Sequence, residues 1–594
     1  MERVKKLFAM SAGSSSRAFA FLKQIFTSGT ATQKFVALSL LVGVITGFAS
    51  YLFNELLSFL SEYLLHFDSH GVPKRSYALF FIPALGGLII GPMVTKWAKE
   101  AKGHGVPEVM FAVARREGKI RPRVAVVKAI ASCICIGSGG SAGREGPIVQ
   151  IGSAFGSAVG QLFNMSGRVT KMLVACGAAA GIAATFGTPI AGVLFSLEVI
   201  LQKFSANSFS MVVISAVTAS AVARLTLGES FFFTIPKYDL NSVWELGLYA
   251  LLGVIGAVWA KIFTTVLYAF EDFFDEKVNV PDWTKPAIGG LLLGVLGFLI
   301  PEVLSTGHHI TEVALWGKLS FGALLLFTVA KLFATSFTLG SGGSGGIFSP
   351  SLFMGAMLGG CIGTLYAKIF PGLGILPGAY ALAGMGAVFA GATRAPITAV
   401  LVVFEMTNDY KIILPMMTAV VSATLISYAF GEETIYTKKL LRRGIRLGED
   451  ESKNILSTIT VAQVMTKNVD TLSENIKLKE IIGYFHKNVH NGFVVVNDAG
   501  ELSGLITYPE LKSTLPLLAE LGDVLTAKEI MRTSPPTASL EETLDLISER
   551  LRFKDIDRLP VVDEANHLKV IGIISRHDIL ATYASASEGR EKAF

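Results

Sequence analysis

Two glycine-serine loops hold the residues most suited to chemistry. Gly137-Ser-Gly-Gly-Ser-Ala-Gly-Arg-Glu-Gly-Pro147 returns 203 residues later as Gly340-Ser-Gly-Gly-Ser-Gly-Gly-Ile-Phe-Ser-Pro350, with seven of eleven positions identical. A loop of this composition entering a helix points several backbone N–H groups into one space. The positive end of the helix dipole adds to them, which makes an anion site. The proline closing each loop fits a helix start. Close helix packing through small residues is the competing use of such glycines. At membrane depth, partial charges replace an anion's hydration shell without the full-charge attraction that would hold it too long. Glu145 stands inside the first loop, between Arg144 and Gly146. Its carboxylate carries the charge of a small anion, so at a helix N-terminus it can take the anion's place, and protonation would release it. A static pair with Arg144 or a helix cap is the alternative.

The surrounding sequence is that of a membrane protein. Of 594 residues 51% are hydrophobic and 16% charged, against roughly a quarter charged in a soluble chain, which excludes a purely soluble protein. Apolar stretches follow one another from Phe35 to Phe430. A spanning helix needs about 20 residues, so the shorter glycine-bounded stretches predict helices that start or stop inside the membrane. The repeat extends beyond the loops. Gly103-His-Gly-Val-Pro-Glu-Val109 pairs with Gly307-His-His-Ile-Thr-Glu-Val313, and Pro189-Ile-Ala-Gly-Val-Leu-Phe-Ser-Leu-Glu198 with Pro396-Ile-Thr-Ala-Val-Leu-Val-Val-Phe-Glu405. Two repeats, about 34–226 and 242–430, predict a transporter-type fold with its binding site where the halves meet. Their relative orientation is not expressed in the sequence.

Residues 1–33 carry Arg3, Lys5, Lys6, Arg17 and Lys23 without a signal-peptide pattern, and read as a cytoplasmic segment. Lys438, Lys439, Arg442, Arg443 and Arg446 open a basic linker, 438–457, after a membrane domain at 34–437. The positive-inside rule then puts both termini in the cytoplasm of a plasma or bacterial inner membrane. The net charge of +6 names no partner by itself. Cys133, Cys135, Cys176 and Cys361 lie in apolar runs with no metal-ligand spacing, so neither a disulfide nor a metal site is expected. No H-E-x-x-H is present for an intramembrane metalloprotease, and one central acid is too few for a divalent-cation pathway. Nucleic-acid binding has no basic, aromatic-interleaved patch to support it.

The tail is ordinary soluble sequence and repeats as well. Thr460-Val-Ala-Gln-Val-Met465 recurs as Thr526-Ala-Lys-Glu-Ile-Met531, and Gly504-Leu-Ile-Thr507 as Gly572-Ile-Ile-Ser575. Units at 458–512 and 526–584, each read as helix, strand, strand, helix and followed by a tail at 585–594, resemble a CBS pair. That resemblance implies an adenine nucleotide (ATP, ADP or AMP), with Ser575 supplying a hydroxyl near phosphate and Asp578 an acid for the ribose. The first unit has Thr507, but Glu510 in place of the Asp. A purely structural pair of units is the alternative.

The membrane part resembles the CLC family of chloride channels and proton-coupled chloride antiporters. Gly103-His104-Gly105-Val106-Pro107 matches its first pore motif, Gly143-Arg144-Glu145-Gly146-Pro147 its second and Gly346-Ile347-Phe348-Ser349-Pro350 its third, while Tyr436 fits the pore tyrosine. The resemblance implies an all-α polytopic membrane protein with two inverted repeats of broken and tilted helices, assembled as a homodimer with a pathway in each subunit. It implies a central anion on the amides of Ile347 and Phe348 and the Tyr436 hydroxyl, with Glu145 as the gating glutamate. Two residues depart from the pattern. His104 replaces a common serine; it either donates to the anion or turns away and bonds locally. Val199 replaces the second of two glutamates, the internal proton carrier of many antiporters, and the adjacent Glu198 points about 100° away on a helix. The expected function is a chloride-selective channel with passive conduction gated by Glu145 and regulation by the CBS pair. A chloride/proton antiporter using Glu145 as its external proton-exchanging group is the alternative.

Overall fold

The computed structural model describes residues 30–445 and 456–591, apart from 69–70, 229–232, 241, 408, 432, 488–491, 555, 564–565 and 567. Nearly all of the basic N-terminal segment, residues 446–455 of the linker expected at 438–457 and the last three residues of the tail lie outside the described residues. The chain divides into two compact units, Met1–Ile445 and Arg446–Phe594.

In the first unit two sets of helices follow in the same order. The first is α1 (Ala31–Leu65), α2 (Ile82–Trp97), α3 (Val106–Arg115), α4 (Arg123–Gly137), α5 (Glu145–Leu162), α6 (Gly167–Phe186), α7 (Pro189–Phe195) and α8 (Ala206–Leu227). The second is α9 (Glu245–Asp272), α10 (Lys285–Leu299), α11 (His308–Leu315), α12 (Phe321–Gly340), α13 (Phe348–Ile369), α14 (Pro377–Thr393), α15 (Pro396–Thr407) and α16 (Ile413–Ala429). Among the described residues seven helical stretches are long and apolar enough to cross a membrane, whereas Pro189–Leu201 and Pro396–Thr407 fall short. These short ones contain α7 and α15, which pack on each other. The chain thus contains both full spans and the broken helices its glycine spacing predicts.

Gly143 and Gly346, equivalent positions of the two loops, form an antiparallel bridge in which each N–H donates to the other's carbonyl, at 2.8 and 2.6 Å. Mutual pairing of equivalent residues running in opposite directions puts a local two-fold axis between them, so the second repeat is inverted. Side chains obey the same axis. Ser132 meets Ser344 at 2.9 Å, and their counterparts Thr335 and Ser141 meet at 3.4 Å. Equivalent helices α2 and α10 also pack across it.

Glycine serves two purposes here. Gly152 on α5 faces Gly177 on α6, and Gly355 on α13 faces Gly384 on α14; a Cβ at any of the four would lie 1.9–2.4 Å from the opposing carbonyl oxygen. Those glycines permit close helix packing. Gly139 and Gly342 instead turn the two loops with φ of +102° and +103°, where other residues are strained.

After α16 the chain forms α17 (Thr437–Leu441). Lys439 Nζ lies 3.4 Å from the Glu271 carboxylate, Arg443 lies 2.6 Å from Glu108, and Arg442 pairs with Asp272. The opening of the segment read as a basic linker is therefore helical and tied to α3 and α9.

The second unit contains α18 (Val461–Val464), β1 (Thr471–Ser473), α19 (Leu478–Lys487), β2 (Gly492–Val496), β3 (Leu502–Thr507) and α20 (Tyr508–Thr514), followed by α21 (Ala527–Ile530), β4 (Arg532–Thr533), α22 (Leu544–Lys554), β5 (Arg558–Val562), β6 (Val570–Ser575) and α23 (Arg576–Glu591). Each half has a leading short helix and short strand beyond the four elements expected. The leading helices start at capping boxes, Thr460 with Gln463 and Thr526 with Glu529. The halves exchange strand partners: β4 of the second extends the sheet β1-β2-β3, and Thr466 of the first bridges Ile573 on β6. Val494, Leu505, Leu559 and Ile574 from both halves share one buried core.

Candidate anion site

The three glycine motifs are stitched together by backbone hydrogen bonds. Gly103 N–H donates to Gly343 O at 3.0 Å, Gly345 N–H donates to Gly103 O at 3.3 Å, and the Gly143–Gly346 bridge closes the set. Gly146 lies where they converge. A Cβ there would sit 2.3 Å from His104 O and 2.9 Å from Gly346 Cα, so no larger residue fits. Gly105, at φ +78°, turns the chain into α3, whose first turn holds Val106 and Pro107. His104, Val106, Glu145, Gly146, Ile347, Phe348 and Tyr436 line one cavity, joined by Val149, Ile182 and Phe195. The last three are apolar members of apolar runs, and nothing in their type or spacing marks them. Gly103, Gly105, Pro107 and Gly346 shape the backbone around the cavity. Arg144 is the N-cap residue of α5; its Nη1 donates to Asn54 Oδ1 at 3.1 Å and its guanidinium lies 5.4 Å from the Phe186 ring centre.

Glu145, only 2% exposed, reaches from the first residue of α5 to the start of α13 in the opposite repeat. Its carboxylate accepts the Ser349 N–H at 3.3 Å and the Ser349 hydroxyl proton. First-turn N–H groups have no acceptor within their own helix and carry the positive end of its dipole. A negative group is therefore already seated where a free anion would be most favoured. Ser349 lies inside the third motif and could have been singled out as its only hydroxyl.

His104 is bonded locally through one nitrogen and open at the other. Nε2 lies 3.3 Å from Tyr268 Oη, while Nδ1, also buried, has no hydrogen-bond partner among the described residues. Tyr268 Oη donates to Ile435 O at 2.6 Å, next to Tyr436, whose ring centre is 6.1 Å from that of His104. Tyr268, one aromatic residue in the long apolar α9, carries no sequence signal of this contact.

Val199 is buried in a widened turn, Ser196–Leu201, that extends α7. The adjacent Glu198 is fully engaged: its carboxylate accepts the N–H groups of Ile397 (3.3 Å) and Thr398 (2.9 Å) and the Thr398 hydroxyl (2.6 Å). Glu405 does the same at the start of α7, accepting from Ile190 and Ala191 at 3.0 and 2.7 Å. Each acid caps the equivalent helix of the other repeat. A pair of equivalent lysines, each bonded within its own repeat, was missed in the sequence. Lys128 Nζ donates to Ala101 O and Gly103 O at 3.1 and 2.7 Å, and Lys331 Nζ donates to Val303 O and Ser305 O at 3.0 and 2.9 Å. Both lysines are completely buried, and their separation equals the loop spacing, which is the signal that could have found them.

In the second unit Ser575 and Asp578 bond each other at the start of α23, with Ser575 N–H and Oγ donating to Asp578 at 2.9 and 2.7 Å. Thr507 and Glu510 form the same capping box at α20, and Glu510 also lies 3.0 Å from Arg532. The residues read as nucleotide contacts therefore already serve as helix starts.

The family model described as "Voltage gated chloride channel" matches residues 86–428, and the one described as "CBS domain" matches 461–516 and 527–585. An H(+)/Cl(-) exchange transporter ClcA of Vibrio cholerae is 36% identical over 419 residues, covering 68% of this chain and 88% of its own. A relative in Ralstonia nicotianae that bears a chloride channel name, ClcB-like, is 32% identical over 415 residues, covering 68% of this chain and 96% of its own. Among solved structures, that of a slow cyanobacterial Cl-/H+ antiporter superposes with a TM-score of 0.62 at 25% identity, covering 69% of this chain and 97% of that one.

Proposed function

Because the chain belongs to the CLC family and carries a CBS domain pair, we propose that it is a chloride/proton antiporter rather than the passive channel that Val199 suggests. The carrying observation is Glu145 seated on the first turn of α13. A carboxylate and a chloride ion compete for that place, and a protonated Glu145 vacates it, so occupancy by the anion and uptake of a proton are linked at one residue. The exchanger names of the ClcA relative and the cyanobacterial neighbour support this reading. The central anion would rest on the Ile347 and Phe348 amides and the Tyr436 hydroxyl, in each subunit of a homodimer whose termini face the cytoplasm. Proteoliposomes with a chloride gradient and simultaneous chloride and pH recording test it. Uphill proton movement driven by chloride is expected; a reversal potential set by chloride alone would sink it.

The passive channel is the second reading, favoured by Val199 and by the engagement of Glu198 as a helix cap, which leaves no adjacent acid free for internal proton transfer. Regulation by an adenine nucleotide at Ser575 and Asp578 is a separate part of the proposal. It requires the ligand to replace the capping contacts of α23, and saturating ATP at a hundred times its dissociation constant would then add about 2.7 kcal/mol to the stability of the second unit. An unchanged melting profile of the full chain with excess ATP would leave the pair purely structural.

A further inference from the structure

His104 brings a titratable ring to the wall of the anion cavity, and its bonding fixes where its proton lies. Tyr268 has one hydroxyl proton and gives it to Ile435 O at 2.6 Å, so towards His104 its oxygen can only accept. Nε2, 3.3 Å away, therefore carries the hydrogen. A neutral imidazole of that tautomer has a bare lone pair on Nδ1, the atom left without a partner among the described residues. Beside a chloride ion a lone pair is repulsive. A second proton turns Nδ1 into a donor and gives the ring a positive charge. Proton and anion then each favour the other's binding by the same factor.

We propose that His104 takes up a proton together with the central anion, and that Tyr268 is the positioning residue that makes this uptake necessary by holding the ring on Nε2. The proposal deepens the exchanger reading and rests on it for the cavity's occupant. It adds a second proton-binding group, inside the cavity, to a chain that has valine at position 199. The bond made is Nδ1–H and the bond broken is that of the buffer acid that gives up the proton, its conjugate base staying in solution. The charged and titratable groups around the ring are Lys128 on α4, Lys439 on α17 and Arg443 just beyond it, with Glu108 paired to Arg443 and Glu271 to Lys439. Glu145 and Tyr436 share its cavity.

The test is calorimetric titration of chloride into the full-length Glu145→Gln protein in detergent, from about pH 6 to about pH 8, in two buffers of unlike ionisation enthalpy. Removing the Glu145 carboxylate leaves His104 as the group under test. Affinity should fall with rising pH, approaching about tenfold per unit, with up to one proton taken up per chloride. Adding His104→Asn should remove the uptake and flatten the pH profile while the backbone amides still bind chloride. Adding Tyr268→Phe instead frees the ring to present an N–H while neutral, so uptake should drop and binding persist. A pH-independent affinity in the parent, or equal uptake after His104→Asn, overturns the proposal. If His104→Asn binds no chloride, Tyr268→Phe decides: reduced uptake supports the proposal and unchanged uptake overturns it. Failure of the exchanger reading would appear separately, as absent uphill proton flux in wild-type liposomes.

Discussion

Lys128 and Lys331 make the same bonds in the two halves of the membrane unit, each holding two carbonyls just ahead of a short helix. Glu198 and Glu405 likewise cap each other's neighbouring helix. At the loop tips the likeness ends. Phe348 stands where the first repeat has Glu145, Ile347 stands where it has Arg144, and His308, the counterpart of His104, stacks on Phe233 with ring centres 4.6 Å apart. The paired lysines and glutamates, present in both halves, hold the scaffold, whereas Glu145, which the second repeat lacks, lines the cavity. Duplication thus supplies two facing helix starts, and asymmetry gives one of them a tethered anion.

The strongest way to break this contrast is Glu145→Gln, which should abolish chloride-driven uphill proton transport in proteoliposomes while chloride flux continues and any chloride-linked proton binding at His104 remains; retained uphill proton transport would move the proton-exchanging role elsewhere. Next in size, Glu198→Gln and Glu405→Gln should each cost about 1.5–3 kcal/mol, since each weakens charge-assisted bonds to part-buried helix starts. Thermal melting should show similar losses, and neither change should shift the chloride/proton reversal potential. Loss of coupling in Glu198→Gln alone would mean that the symmetric pair hides an asymmetric role. Gly152→Ala and Gly355→Ala sharpen the scaffold side, because the added methyl must push α5 from α6 or α13 from α14, at about 1–3 kcal/mol each by melting.

The smallest effect lies in the second unit. Burial pushes the Glu542 carboxyl up, but the Arg550 guanidinium and the Ser539 N–H, at 2.8 Å, bring it below its ordinary value overall. An acid lowered in the folded state adds stability above its unfolded pKa and loses it as pH falls through the folded value. For this partly solvated pair Glu542→Gln should cost about 0.5 kcal/mol near neutral pH and nothing in strong acid. A loss that persisted in acid would assign the effect to packing.

Much of this was legible in the residues themselves. The duplicated loops, the short apolar runs and Glu145 in a glycine setting indicate broken helices around an anion site, because backbone N–H groups need no particular side chain to act. Inversion was legible only through the family resemblance, since physically it resides in the pairing of Gly143 with Gly346 and not in either segment. Tyr268 and Phe195 are ordinary aromatic residues of apolar helices until folding brings Phe195 to the cavity and Tyr268 against His104. The capping boxes at Thr460, Thr526, Thr507 and Ser575 were visible as Ser or Thr followed three residues later by Gln, Glu or Asp, and the two at Thr507 and Ser575 occupy the same residues as the nucleotide pattern. The channel reading gave weight to one valine, and the exchanger relatives shift the balance the other way.

Competition between the Glu145 carboxylate and a free anion for the start of α13 is tested most directly by locating bromide in the wild-type and Glu145→Gln proteins, by anomalous diffraction or by difference density. Bromide should appear beside Ser349 N–H in Glu145→Gln, whereas in the wild type at neutral pH the carboxylate should hold that place. Bromide beside Ser349 with the wild-type carboxylate still bonded there, or no bromide beside these loops in either protein, would contradict the account.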